Sequence, residues 1–511
     1  MSATFAPACM NLPRLDPASL PALRDKATAA AYDRGALAPG IVHLGIGAFA
    51  RAHLAIATEA AIMADPARPD LRWGIVGVSL RQADTRDALA PQRGLYTVAV
   101  RDADTAGQPR QALQVVGCLT HLLVAPEDPA AVLEALAHPQ ARIASLTVTE
   151  KGYLRDPAGA GLWWAHPDIA HDLGHPQAPR SALGFIVHAL ALRRQRGLGP
   201  LTLMSLDNLP ANGRTLQGLV LALAATVDPN LAGWIQARCT FPDSMVDRIV
   251  PRTTDADRDR LSRALGARDA WPVMTEPFID WAVEDRFAAG RPDWNAGGAR
   301  FVSEAAPWER LKLRMVNGSH SAIAYLGAMA GWDTVDRAIN EPALRAFVQA
   351  LLRDEVAPTL PALPGLDVDA YGARLITRFA NPALAHRTQQ IAMDGTQKLP
   401  QRLLATVRER LAAGAPITRL ALAVAAWLHY LRGVDEAQRP YPVEDPLAGE
   451  LAALHSQAQA CASAEERARL STRFRPVFGD LADHPELVAE LARALQSLEH
   501  RGVRATLENT A

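Results

Sequence analysis

This chain has little lysine, little cysteine, few aromatic rings and almost no net charge. Its 53 basic and 54 acidic side chains cancel to −1, and neither sign forms a block. That balance excludes the basic stripe of a nucleic-acid binder and the polybasic patch of a membrane-surface protein. The four cysteines, Cys9, Cys118, Cys239 and Cys461, lie far apart, and none belongs to a CxxC or paired Cys/His spacing. Neither a disulfide framework nor a zinc site is indicated, so no metal is expected. No apolar run reaches the ~18 residues of a membrane span. The opening MSATFAPACMNLPRLDP lacks a charged segment followed by an apolar core. The expectation is a soluble, cytoplasmic monomer or small homo-oligomer, with no nucleic-acid or membrane partner.

Lysine is the most informative scarcity. Only Lys26, Lys151, Lys312 and Lys398 occur, and every other basic side chain is arginine. Arginine keeps its proton inside proteins, whereas a buried lysine can release it. A lysine in so arginine-rich a chain is either incidental or present for its amine. Lys312 stands in RLKLRMVNGSHSAIAYLG, Arg310 to Gly327. At ~100° per residue, an α-helix there would set Lys312, His320 and Asn317 within an arc of about 140°. Glu309 falls inside that arc, while Arg310 and Arg314 fall outside it. An amine, an imidazole and a carboxamide on one side suit moving a proton on and off an alcohol oxygen.

At 511 residues the chain is long enough for two or three domains. Residues 1–38 read as a leader with a short helix near Ala22–Asp33. Gly40–Gly45 is an apolar strand, followed by GIGAFARAH and a helical Ala52–Ala64. Gly45, Gly47 and Ala50 fit G-x-G-x-x-[G/A], so the backbone of Gly45, Ile46, Gly47, Ala48, Phe49 and Ala50 is a candidate pyrophosphate cradle. A bare turn is the alternative. The next strand, Trp73–Val78, ends in Ser79-Leu80-Arg81, with Asp84 a turn later. Ser79 and Asp84 suit an unmodified ribose, and Arg81 suits a 2′-phosphate; NAD is the expected cofactor. Further strands are read at Tyr96–Arg101, Gln114–Leu119, Ile143–Thr149, Leu201–Leu206 and within Trp271–Asp285. Glu150 joins the cofactor set and Lys151 the substrate set at one strand end. Asp207 and Asn208 stand at another, either as site residues or as a helix cap. Ser244–Thr254 places Asp247 and Arg248 in an apolar strand, where they could pair with each other. Beyond about residue 300 helical periodicity dominates, broken at 381–402 by a turn-rich stretch with His386, Arg387, Asp394 and Lys398. That stretch is either a solvated loop or a functional one. The fold class is therefore α/β: a dinucleotide-binding Rossmann-type domain over 1–300, then a mainly α-helical substrate domain over 301–511.

A dinucleotide cradle, a Lys/Asn/His segment and no metal ligand set fit metal-free hydride transfer between a secondary alcohol and a nicotinamide. Lys312 would exchange the hydroxyl proton. Asn208 and Asn317 would donate to the developing alkoxide. His320 would orient the substrate unless it is a satisfied core histidine. Glu309 would relay protons unless it is a solvated helix charge. A zinc-dependent dehydrogenase and a catalytically dead dinucleotide sensor are the rivals. The first lacks clustered ligands, and an intact Lys312, Asn208 and Asn317 argue against the second.

Six ordered motifs, HLGIGAFARAH, TEKGY, SLDNLPANG, DSMVDRIVPRT, KLRMVNGSH and DGTQKLPQR, resemble the polyol-specific long-chain (mannitol dehydrogenase) family. The resemblance spans about residues 41–402. It implies a Rossmann-type domain, a helical domain, a site between them and no zinc. By this resemblance Lys312 is the general acid/base and Asn208 and Asn317 stabilise the oxygen. Asp247, His320 and Lys398 bind substrate, and Glu309 relays protons. AHRTQQIAMDGTQKLPQR looks like the fructuronate reductase (D-mannonate oxidoreductase) branch, with Gln390 where mannitol-type enzymes tend to carry Arg. His386 and Arg387 with Lys398 could fork a uronate carboxylate. A neutral ketose such as fructose or xylulose is the alternative substrate.

Overall fold

The computed structural model describes residues 7–29, 31–103, 108–156, 159 and 161–510. The described residues fall into two compact units, one within 7–102 and 110–306, the other within 103–109 and 307–510.

The first unit is built on a five-stranded parallel sheet. Its strands are β1 (Ile41–Leu44), β2 (Ile75–Ser79), β3 (Leu119–Val124), β4 (Ile143–Leu146) and β5 (Thr202–Ser205). Their order is β3-β2-β1-β4-β5, the doubly wound order of dinucleotide-binding folds. Strands β1, β4 and β5 are buried at every position, as expected where helices cover both faces of a parallel sheet. His43 sits inside β1 without disrupting it. Its ring nitrogens meet Ser145 Oγ at 2.8 Å and Thr147 Oγ1 at 2.9 Å.

Two smaller sheets complete this unit. One pairs Thr28–Ala29, Pro109–Val116, Tyr96–Ala103 and Val273–Thr275, and the other Ala299–Val302, Asp280–Glu284 and Ser244–Asp247. Thr28–Ala29 corrects the leader, where a helix was expected over Ala22–Asp33. Asp16 caps a 3₁₀ turn at Pro17–Leu23 with Pro21 inside it. The chain then pairs in parallel with Gln114 and Val115, so edge pairing overrides alanine's helix propensity. The expected strand Gln114–Leu119 is likewise two strands, Pro109–Val116 and β3.

The second unit is helical. Its central run is Ala306–Leu311 (α), Lys312–Gly318 (π) and Ser319–Ala330 (α). Two more π segments, Leu351–Val356 and Pro400–Leu404, follow. Among the described residues no helix is long and apolar enough to cross a membrane.

Burial pushes both His43 and His53 of the first unit down to about 3, from 6.5. Between those values the unfolded chain takes up protons that the folded unit refuses. Stability is therefore lost as pH falls from about 6.5 towards about 3. Thermal melts over that window should show a falling melting temperature, and His43→Gln should flatten the dependence. A melting temperature indifferent to pH there would contradict it.

Candidate active site

In the first unit β1 ends in a turn that only glycine can make. Gly45 has φ +93, and a Cβ there would lie 2.1 Å from the Thr147 carbonyl oxygen. At Gly47 a Cβ would meet nothing nearer than 3.8 Å, so its backbone faces open space. A helix then begins at Ala48 (Ala48–Ala52), and after an offset at His53 a second runs Leu54–Ile62. Ala48, Phe49 and Ala50 form that first turn, where free N–H groups suit an anion. The expected cradle narrows to them, because the N–H groups of Gly45 and Ile46 donate to the Val78 carbonyl at 2.8 and 3.1 Å and that of Gly47 to the Gly45 carbonyl at 2.6 Å. Ala50 turns into the core, and Phe49 stacks on His53 at 5.0 Å.

A cavity of about 900 Å³ opens over this turn, lined by Gly45, Ile46 and Gly47 and by the carboxyl ends of β2 and β4. Ser79 and Arg81 line it. Thr149 and Gly152 line it too, while Glu150 and Lys151 do not and are exposed. Thr149 carries φ 62 and ψ 165, a region that costs a non-glycine residue about 1–3 kcal/mol. Asp207 holds it there. This carboxylate accepts the Val148 N–H at 2.9 Å, the Thr149 N–H at 3.0 Å and the Tyr153 hydroxyl at 2.8 Å. Burial pushes Asp207 up, and those three donors oppose the shift. Asp207 is thus a clamp between strand ends. Nor does Asn208 cap the next helix, which starts four residues on at Asn212 after Ala211 with φ 44. Asn208 lies exposed in the turn between.

Asp247 ends its strand half-buried. The expected pairing of Asp247 with Arg248 gives way to another arrangement for Arg248, which donates to the carbonyls of Ala52 at 2.6 Å and Glu276 at 2.9 Å. Burial lowers Arg248 to about 10. Beside them His53 is fully buried, and neither ring nitrogen has a hydrogen-bond partner among the described residues.

In the second unit Lys312 begins the π segment. The expectation of one continuous α-helix is corrected here. Bonds from i to i+5 widen each turn beyond 3.6 residues. Lys312 and Asn317, five apart, therefore lie closer to one face than the ~140° of an α-helix. The opposite face is anchored: Arg314 donates to Glu409 at 2.5 and 2.7 Å and to the Thr359 carbonyl at 3.1 Å. Gly318 lets the backbone of the Pro400–Leu404 segment come near, since a Cβ would meet the Arg402 carbonyl at 2.9 Å. Lys312 is 6% exposed and His320 9%; Asn317 and Glu309 are half-buried.

His320 packs on Phe379 at 4.4 Å and edge-on to His386 at 6.0 Å. Burial pushes its pKa well down, and the charges of His386, Arg378, Arg402 and Lys312 push the same way. His386 is lowered by burial, Arg378 and Lys398. Lys398 is lowered to about 8 by burial and Arg402, against Asp394 and Asp445. Its ammonium donates to the Met393 carbonyl at 2.6 Å and stands 3.8 Å from Asp394. The stretch 381–402 is a turn at 382–384 and an isolated bridge at Arg387, then two short helices, Thr388–Ala392 and Gly395–Leu399, leading into the third π segment. Arg387, expected in the cationic fork with His386 and Lys398, is exposed. Arg378 and Arg402 are the guanidinium groups that act on the two imidazoles. Arg402 closes the DGTQKLPQR motif and was visible there. Arg378 gives no local signal in the sequence.

Two family models match the chain: the mannitol dehydrogenase Rossmann domain over residues 39–296 and the mannitol dehydrogenase C-terminal domain over 304–499. The D-mannonate oxidoreductase of Escherichia coli (strain K12) is 43% identical over 477 residues, covering 93% of this chain and 96% of that protein. A mannitol 2-dehydrogenase of Phaeosphaeria nodorum is 39% identical over 490 residues, covering 95% and 83%. The solved Pseudomonas fluorescens mannitol 2-dehydrogenase, a ternary complex with NAD and D-mannitol, matches with a TM-score of 0.82 at 36% identity, over 97% of this chain and 99% of that one. The chain belongs to the mannitol dehydrogenase family.

Proposed function

We propose that this protein interconverts D-fructuronate and D-mannonate, using NAD(H). As a member of its family it is an NAD-dependent oxidoreductase of polyols or sugar acids. The narrower choice rests on one observation. The charged groups that act most on His320 are all cationic or cationisable, and Lys398 adds another beside His386. A sugar acid brings a carboxylate to such a field, and a neutral ketose brings none. The likeness to a D-mannonate oxidoreductase supports the same choice. The likeness to mannitol 2-dehydrogenases keeps a neutral ketose as the second reading.

When bound, the dinucleotide supplies or accepts the hydride. In the second unit the Lys312 amine takes the hydroxyl proton during oxidation and returns it during reduction. Asn317 donates an N–H to the oxygen as charge develops there. His320, held neutral, orients a neighbouring hydroxyl, and Glu309 passes protons to solvent. In the first unit Asn208 and Asp247 keep the oxygen-stabilising and substrate-binding roles that the resemblance gives them.

Lys312→Ala should leave NADH binding nearly intact while turnover falls by several orders of magnitude. Fluorescence titration and steady-state rates measure the two, and near-wild-type turnover would remove Lys312 from this role. The substrate class is tested with NADH and a panel of fructuronate, tagaturonate, fructose and xylulose. Lys398 is charged below about 8 and neutral above it. KM for fructuronate should rise as pH passes that value, while KM for fructose should not. Arg402→Gln should raise KM for fructuronate about tenfold or more, and Arg387→Ala, on an exposed side chain, should raise it less. Equal effects on both sugars would favour the neutral ketose.

A further inference from the structure

The cavity over the glycine turn carries charge that the reading above leaves unused. It reaches the end of β2, where a dinucleotide fold that selects NAD places an Asp or Glu for the ribose hydroxyls. Such a carboxylate would also repel a 2′-phosphate. Here that place reads Ser79-Leu80-Arg81-Gln82, and all four line the cavity. Asp84 does not line it. Among the described residues the one lining carboxylate is Asp168, in the first turn of the separate helix Pro167–Gly174.

Two guanidinium groups line the same cavity, Arg81 and Arg180, both exposed. Neither side chain has a hydrogen-bond or ion-pair partner among the described residues. Arg86, in the helix that follows β2, is by contrast taken up by Asp87 and Glu127. An unpaired guanidinium where the ribose is expected suits a phosphate oxygen pair, to which it can donate twice. The Ser79 hydroxyl can still bond an unmodified ribose.

We infer that this cavity takes NADPH as well as NADH, with Arg81 holding the 2′-phosphate beyond the end of β2. The inference rests on reading the cavity as a dinucleotide cradle. It is independent of which sugar is the substrate.

The test is equilibrium binding to the full-length protein, without substrate, by fluorescence or calorimetric titration. Wild-type protein should bind NADPH within about tenfold of NADH. Arg81→Ala should weaken NADPH by about tenfold or more and change NADH by less than about twofold. Ser79→Asp should cause a similar loss for NADPH by repulsion of the 2′-phosphate. Added salt should weaken NADPH more than NADH. NADPH binding more than about 100-fold weaker than NADH would overturn the inference. So would an Arg81→Ala variant that weakens both cofactors alike. If neither cofactor bound, the cradle reading would fall with it, whereas the substrate assignment would still be decided by its own panel.

Discussion

Buried positive charge is the constraint around which the second unit is arranged. Lys312 and Arg378 are less than a tenth exposed, and Arg402 and Lys398 are half-buried. Cations taken out of water are costly unless something compensates them. Part of the compensation is local. Lys398 is tied to the carbonyls that end the Thr388–Ala392 helix, with Asp394 close by. The two imidazoles respond by staying neutral, which spares the cluster two further charges. The arrangement persists because its far side is braced. Arg314 is forked onto Glu409, and Gly318 admits the neighbouring backbone. A π segment between two α-helices is an unusual place for a side chain. Here it aims an amine and a carboxamide the same way.

The first unit solves a different problem, which is keeping strand ends open. Anion-binding turns need backbone N–H groups that are not consumed by the fold. Gly45 can turn at φ +93 beside the Thr147 carbonyl only because it has no Cβ. Thr147 in turn donates its hydroxyl to the Gly45 carbonyl at 2.7 Å. The strained Thr149 follows two residues later, held by Asp207 from the next strand. One carboxylate thus fixes the shape of the rim, and three donors hold it there. That is a positioning task rather than a chemical one.

Much of this was legible in the sequence, and the parts that were not have physical reasons. Strands β1, β2, β4 and β5 could be read because they are short and apolar and end at glycine or polar residues, whereas the edge strand β3, with His121 exposed, could not. The Gly45–Ala50 turn could be read because glycine spacing there follows from sterics. The leader could not: Thr28–Ala29 is a strand only through its pairing with residues 114 and 115, far along the chain. The π segment was hidden for a related reason. Helical periodicity in sequence is read at 3.6 residues per turn, and KLRMVNG carries no mark of a wider turn. Arg248 is adjacent to Asp247 in sequence, yet it lies just past the strand end and its guanidinium goes to the Ala52 and Glu276 carbonyls, which are far along the chain. Arg378 lies on an ordinary amphipathic helix, so only the fold brings it to His320. Arg387 misled in the converse way, since it neighbours His386 in sequence but points outward.

The scarcity of lysine has a physical consequence, because arginine and lysine differ most where they are buried. Lys26 and Lys151 are exposed, and for a solvated charge the two residue types differ little. Lys312 and Lys398 are withdrawn from water in the same unit, where the difference is large. A guanidinium stays charged under burial: Arg248 and Arg51 come down only to about 10. An amine under similar burial reaches about 8 at Lys398, within range of ordinary pH. A position that must exchange a proton, or let its charge vary, can therefore use lysine and not arginine. Composition is silent about which lysine does so. Burial, together with the sign of the surrounding field, is what distinguishes the two interior amines from the two at the surface.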